Sequence, residues 1–255
     1  MIFKGHLDLL LPPLHFNKLT ISLENEDKKQ IKKEYFYKEN RVVKIIDYFN
    51  NIYSEYEYLS NANYSVKFHL FEESVNDKKI DSIKKFTLNE NKIIREDLIT
   101  IENNKEVNIY KGEFNYSGDY LSFERFSYED GEVYRIEHKW NEKRTINKIE
   151  HLDEPTKVEY TFDDNRFLIE CLQFKYKGSV KKTLYEYKND KLFKLIEFPD
   201  LEYKKNIFGK IKIIEEAQFM NETEYCYYEN GLVQKEIIRD YETKEIVDVI
   251  HYDYE

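Results

Sequence analysis

The chain has 255 residues, with 40 Lys and Arg against 50 Asp and Glu, for a net charge of −10 and a sequence pI near 5.3. Binding a nucleic-acid backbone requires a basic excess, so this balance argues against nucleic acid as a partner. No segment approaches the roughly 20 apolar residues of a membrane-spanning helix, and two cysteines, Cys171 and Cys226, are too few for a disulfide scaffold.

Hydrophobic residues make up 41% of the chain, and 23 of them are Tyr. Tyr has an apolar body and a polar tip, which suits a sheet face that is only half buried. With 35% charged residues, the composition describes a wide, wetted sheet rather than a thick sandwich.

Along the chain, residues 1–34 stand apart. Met1–His6 has no secretory pattern, because the apolar stretch after it holds Asp8 and is broken by Pro12-Pro13; the expected compartment is the cytoplasm. Leu19–Leu23 alternates like a strand, and the charge run from Glu24 to Lys33 reads as a solvated loop or a short helical turn. This segment is expected to cap an otherwise open edge of the repeat sheet.

From residue 35 a phrase recurs: two aromatics at i and i+2, a polar turn, then an apolar run carrying Lys or Arg. Its clearest copies start at Tyr35, Phe126, Tyr160, Tyr185 and Tyr225, with weaker ones at Tyr56, Phe86, Phe114 and Tyr203. Each copy has the size of one β-hairpin with its connection, roughly two dozen residues. Asp130-Gly131 and Asn230-Gly231 supply the positive φ of a hairpin turn. Asn91, Asn165 and Asn189-Asp190 are expected to do the same, since Asn and Asp tolerate left-handed geometry. The cation after each turn is expected to lie along a Tyr ring. Pro155 and Pro199 fall between phrases. Some helix in 1–34 or near Ile94–Asn104 is compatible with the pattern, and Lys244–Glu255 reads as a terminal strand with Ile246, Asp248, Ile250, Tyr252 and Tyr254 on one face. The fold expected is all-β: an antiparallel meander of repeated hairpins in a wide twisted or curved sheet, with a capping segment at 1–34 and the repeat domain at 35–255.

No nucleophile elbow, P-loop, dinucleotide fingerprint or zinc-protease motif occurs. His151 and Asp153 alone make a weak metal pair, since zinc needs three or four convergent ligands. Cys171 lies in an apolar strand context suited to a structural thiol. No cofactor, no metal and no catalysis are expected. The acidic turn tips Glu129, Asp130, Asp163, Asp164 and Glu229 would form a row if hairpins stack in register, with Tyr228 and the only tryptophan, Trp140, as aromatic anchors. These are the candidate partner-binding residues. Their plainer reading is that Asp makes good turns and that Trp140 anchors a core.

The phrase Tyr-x-Tyr-x-x-x-Gly-x-Leu/Val-x-Lys resembles the YD repeat of Rhs-type proteins, most closely in Tyr225–Lys235, then in Phe126–Ile136 and Tyr185–Leu195. Most copies lack the turn glycine, and the Tyr-Asp pair is often Tyr-Lys or Tyr-Glu. The resemblance implies a β-hairpin repeat fold without catalytic residues in the repeats. The chain is far shorter than the toxin-enclosing shells of large Rhs proteins, so the resemblance implies a free-standing accessory. Small acidic cytosolic proteins of polymorphic-toxin systems often serve as immunity proteins. The expectation is therefore an acidic module, monomeric or weakly dimeric, that binds a basic toxin domain; the alternative is a carbohydrate- or envelope-associated β-repeat protein with Tyr rings as stacking platforms.

Overall fold

A computed structural model describes residues 16–25, 28–39, 41–60, 62–71, 79–90, 92–102, 105–143, 145–152, 157–174, 179–205, 211–214 and 220–255. The described residues form nineteen β-strands and no helix. The meander of antiparallel hairpins expected from the phrase is the observed architecture. Leu9–Leu14, Asn91, Asp153 and Pro155 lie outside the described residues.

The chain divides into two compact units, Met1–Arg135 with Ile250–Glu255, and Ile136–Val249. Unit 1 contains β1 (Lys18–Asn25), β2 (Lys28–Lys38), β3 (Arg41–Asp47), β4 (Ile52–Tyr58), β5 (Asn63–Leu70), β6 (Lys79–Asn89), β7 (Lys92–Glu102), β8 (Lys105–Ser117) and β9 (Tyr120–Tyr128), the start of β10 (Val133–Trp140) and the end of β19 (Ile246–Tyr254). Each of β1 to β8 pairs antiparallel with the next. The free edge of β1 is covered by the C-terminal residues: Lys18 and Glu255 exchange backbone hydrogen bonds, and Lys29 pairs with Asp253 at 2.6 Å. Covering an edge in this way removes a template for pairing with other chains.

Two local expectations change. The described part of the charge run is strand rather than loop or helix, Glu24 and Asn25 ending β1 and Lys28–Lys33 opening β2, with lysines neutralised across strands, Lys29 by Asp253 and Lys33 by Asp47 at 2.8 Å. The region near Ile94–Asn104 is strand β7, with β6 on one side and β8 on the other.

Unit 2 holds the rest of β10, then β11 (Ile146–His151), β12 (Lys157–Phe162), β13 (Leu168–Phe174), β14 (Ser179–Lys188), β15 (Lys191–Lys205), β16 (Ile211–Ile214), β17 (Asn221–Tyr227) and β18 (Val233–Asp240), and the first residues of β19. β15 pairs with β17 through Lys194–Glu197 and with β16 through Glu202–Lys205, so β16 is a side branch of the meander. Beside it sits a small core of Phe174, Val180 and Leu201, the last two with no exposed surface, packed by Phe198, Tyr203 and Ile213. Unit 1 has a comparable cluster of Ile46, Tyr53 and Phe71.

The turns explain the Gly and Asn positions. Gly131 and Gly231 have φ of 91° and 89°, and their N–H groups bond to Tyr128 and Tyr228, placing glycine third in a three-residue loop. The turn after β12 has the same hydrogen bonds, but the left-handed residue is Arg166, φ 72°, instead of Asn165. Asp163 fixes that register by accepting the Phe167 N–H through its carboxylate at 2.8 Å. Asn189-Asp190 is the two-residue turn with both φ positive.

One clasp occurs in both units. In unit 1 the Tyr58 hydroxyl donates to the Val42 carbonyl at 3.0 Å while Arg41 lies 5.0 Å over its ring. Further along, Tyr116 donates to Ile93 at 3.0 Å beneath Lys92 at 5.6 Å. In unit 2 Tyr227 donates to Leu192 at 2.5 Å beneath Lys191 at 5.2 Å. The pre-turn Tyr of one hairpin thus grips the first two residues after the turn of the preceding hairpin. This is the cation-on-Tyr contact expected from the phrase, and it ties successive hairpins end to end. Lys92 goes on to bond the Gly118 carbonyl at 2.9 Å.

Candidate functional site

The most organised surface lies in unit 1. Strand register sets Tyr58 opposite Tyr64, Tyr64 opposite Phe86, Phe86 opposite Glu96, Glu96 opposite Gly112 and Gly112 opposite Phe126. Residues in direct register share one face, so these side chains form one row across six strands. Tyr58 and Tyr64 stack at 5.8 Å and Tyr64 and Phe86 at 4.6 Å, nearly parallel at 12°. Arg41 closes the row at the Tyr58 end. At the other end the Phe126 ring lies over Gly112, where a Cβ would sit 2.9 Å from Phe126 Cε1. Tyr110 and Phe114 meet Phe126 edge-on at 5.4 and 5.8 Å.

The one charge inside the row is held. Glu96 pairs with Lys84 at 3.0 Å and accepts the Tyr110 hydroxyl. Burial, then Tyr58, Tyr56 and Glu96, pushes the Tyr64 phenol up to about 12. Burial and then the bond to Glu96 raise Tyr110. These phenols are therefore neutral hydrogen-bonding groups at neutral pH. The row is not sealed: Tyr58 is 37% exposed, Ile94 39% and Leu59, beside Tyr58 on the turn, 67%. It combines amphipathic rings, a fixed cation and a partnered carboxylate on stiff strands, which is a chemistry of recognition.

The residues singled out from sequence fall elsewhere. Glu129 and Asp130 sit on the turn after β9 in unit 1; both are exposed, and Asp130 accepts the Glu132 N–H at 3.0 Å. In unit 2, Trp140 ends β10 half-buried and stacks on Phe162 at 5.9 Å, one residue before Asp163. β10, β12 and β17 run in the same direction, so Trp140, Asp163, Asp164, Tyr228 and Glu229 share one end of the unit 2 ladder. Arg166, Lys188 and Lys191 stand at that end too, so it is mixed in sign rather than acidic. Asp163 spends a carboxylate oxygen on its own turn. Tyr228 is 38% exposed.

Sequence reasoning missed Gly112 and the partners Glu96 and Tyr110. A glycine inside a strand pattern is the available signal, since it marks close approach of another group. Cys171 is buried, set opposite Tyr160 and Thr183 in the neighbouring strands, and its thiol is pushed up to about 11 by that burial. Among the described residues no group of three or more His, Cys, Asp or Glu is placed to hold a metal.

No family model matches the chain, and no curated protein does. Among solved structures it is similar to the crystal structure of TcdB2-TccC3-TEV, with 11% identity and a TM-score of 0.36 over 90% of this chain and 14% of that chain. It is similar to the Photorhabdus luminescens Tc holotoxin pore at 8% identity and a TM-score of 0.32, over 86% and 16% of the two chains. A porin-like protein from Bacteroides uniformis gives 10% identity and a TM-score of 0.26 over 96% and 99%. The chain therefore spans 14% of the length of the TcdB2-TccC3-TEV chain.

Proposed function

We propose that this chain is a non-catalytic protein-binding module of the YD-repeat kind, which acts in the cytoplasm as an immunity protein and neutralises a basic toxin domain by covering its active site. The observation that carries the reading is the Tyr58–Tyr64–Phe86 row with Leu59 and Arg41 at its end. Tyr on a stiff strand loses little side-chain freedom on binding, and Tyr and Arg are among the residue types that dominate protein interfaces. The net charge of −10 steers a basic partner toward the chain and raises the association rate.

The geometry favours a polypeptide over a glycan at this row. A sugar stacks on an open ring face. Here the Tyr58 ring carries Arg41 and Tyr64, and the Tyr64 ring carries Tyr58 and Phe86, which leaves ring edges and Leu59 for contact.

The test is affinity purification of the tagged chain from its native cells at low and high salt, then binding kinetics on the recovered partner. The reading expects one basic polypeptide in stoichiometric amount, with salt slowing association far more than it speeds dissociation, and loss of the partner's activity in the complex. Recovery of no stoichiometric polypeptide, or of a partner whose activity is unaffected, overturns it.

A further inference from the structure

The turn between β3 and β4 in unit 1 displays an aromatic side chain outward. Phe49 is 75% exposed, the largest exposure among the large hydrophobics of the described residues. The backbone beneath it is fixed. Asp47, itself buried, accepts the N–H groups of Phe49 and Asn50 at 3.1 and 3.0 Å. Its second oxygen takes the Asn50 side-chain amide at 3.0 Å and Lys33 at 2.8 Å. Asn51 adopts φ 55° to close the turn. Tyr48 is pinned on both sides, by the bond from its N–H to the Lys32 carbonyl at 2.9 Å and from its hydroxyl to Glu34 at 2.6 Å. A rigid turn that holds a Phe in water is an anchor whose ordering cost is met before binding.

The charge beside it is specific. Lys32 Nζ lies 5.4 Å over the Phe49 ring and donates to Gln30 at 3.0 Å. Its strand neighbours Lys29 and Lys33 are each paired with an aspartate, whereas among the described residues Lys32 has no carboxylate partner. The pair Phe49 and Lys32 is thus complementary to an apolar pocket with a carboxylate at its mouth.

We propose that Phe49, with Lys32, is a docking anchor that inserts into an apolar, carboxylate-rimmed pocket of the partner polypeptide. The inference rests on the protein-binding reading and adds a second contact, separate from the aromatic row. A local carboxylate facing Lys32 on a partner that is basic elsewhere fixes orientation, because a turned complex would set Lys32 against like charge.

The experiment places a photo-crosslinker in the full chain, Phe49→p-benzoylphenylalanine, with Asn115→p-benzoylphenylalanine as the exposed control, irradiates native cells and sequences the adducts. The expected result is one adduct specific to position 49, mapped to apolar partner residues flanked by Asp or Glu, whose yield falls about tenfold or more with Lys32→Glu, as for a hot-spot contact. No adduct above the control, an adduct site without carboxylates, or a yield indifferent to Lys32→Glu overturns the proposal. Phe49→Ala separates the two readings: a partner still bound with unchanged affinity sinks the anchor alone, and a tagged wild-type chain that recovers no partner sinks the binding reading with it.

Discussion

Removing one hydroxyl from the clasp in unit 2 should be measurable. Tyr227→Phe keeps the ring under Lys191 but deletes the bond to the Leu192 carbonyl, which is 2.5 Å long and half-buried. A net hydrogen bond of this type contributes about 0.5–1.5 kcal/mol. For a chain of this size 1 kcal/mol moves the melting temperature by roughly 2–4 °C. Lys191→Met leaves the stem but removes the charge 5.2 Å over the ring, a further loss of about 0.5–1 kcal/mol. The two groups touch, so the double variant should lose less than the sum of the singles. Tyr241→Phe is the control: Lys244 lies 4.0 Å over that ring, yet among the described residues no hydrogen bond from its hydroxyl is made. Urea unfolding of the four variants decides the matter. If Tyr227→Phe and Tyr241→Phe shift the midpoint equally, the clasp does not stabilise the hairpin array.

Gly112→Ala forces a Cβ to 2.9 Å from Phe126 Cε1 and should cost about 1–3 kcal/mol by overpacking, read as a lower urea midpoint. Arg166→Gly relieves a left-handed φ of 72°; the strain is about 1–2 kcal/mol and the added glycine entropy about 0.5–1 kcal/mol, so the midpoint should rise slightly. Burial works to raise the Asp47 and Glu222 carboxyls, but bonds from Lys33 and Asn50 to the first, and from Lys194 and Lys244 to the second, hold both below their ordinary range. The unfolded chain therefore takes up protons first as pH falls. Their stabilisation is complete at neutral pH and is lost below about pH 4; a urea midpoint that falls from pH 7 to 3.5, and falls less in Glu222→Gln, is the expected result. Thiol labelling of the native chain should modify the half-buried Cys226 well before Cys171, which is buried with its thiol pushed up to about 11 and holds little thiolate.

Much of the fold was legible because the hairpin phrase encodes local physics. Aromatics at i and i+2 share a strand face, and Asn189-Asp190 and Gly231 turned where expected. The terminal strand read in Lys244–Glu255 is present as β19, Ile246–Tyr254. Arg166 was illegible, because the Asp163 carboxylate on the Phe167 N–H sets the loop register and leaves the left-handed position one residue beyond Asn165. The charge run Glu24–Lys33 reads as solvated by itself; the counter-charges of Lys29 and Lys33, Asp253 and Asp47, lie outside the run, the first of them at the far end of the sequence. The aromatic row was hidden for a similar reason. Whether Tyr64 faces Phe86, and Gly112 faces Phe126, depends on strand lengths and on bulges such as those at Phe68/His69 and Thr87/Leu88, and no local pattern encodes them.

Affinity for the recovered partner, measured by calorimetry for the wild-type chain and for Leu59→Asp, tests most directly whether the aromatic row is a binding surface. Leu59 is 67% exposed, so the substitution should leave the fold intact. It sets a charge beside Tyr58 at the end of the row, and the account predicts affinity weaker by about tenfold or more with an unchanged melting temperature. Equal affinity for the two chains would contradict it.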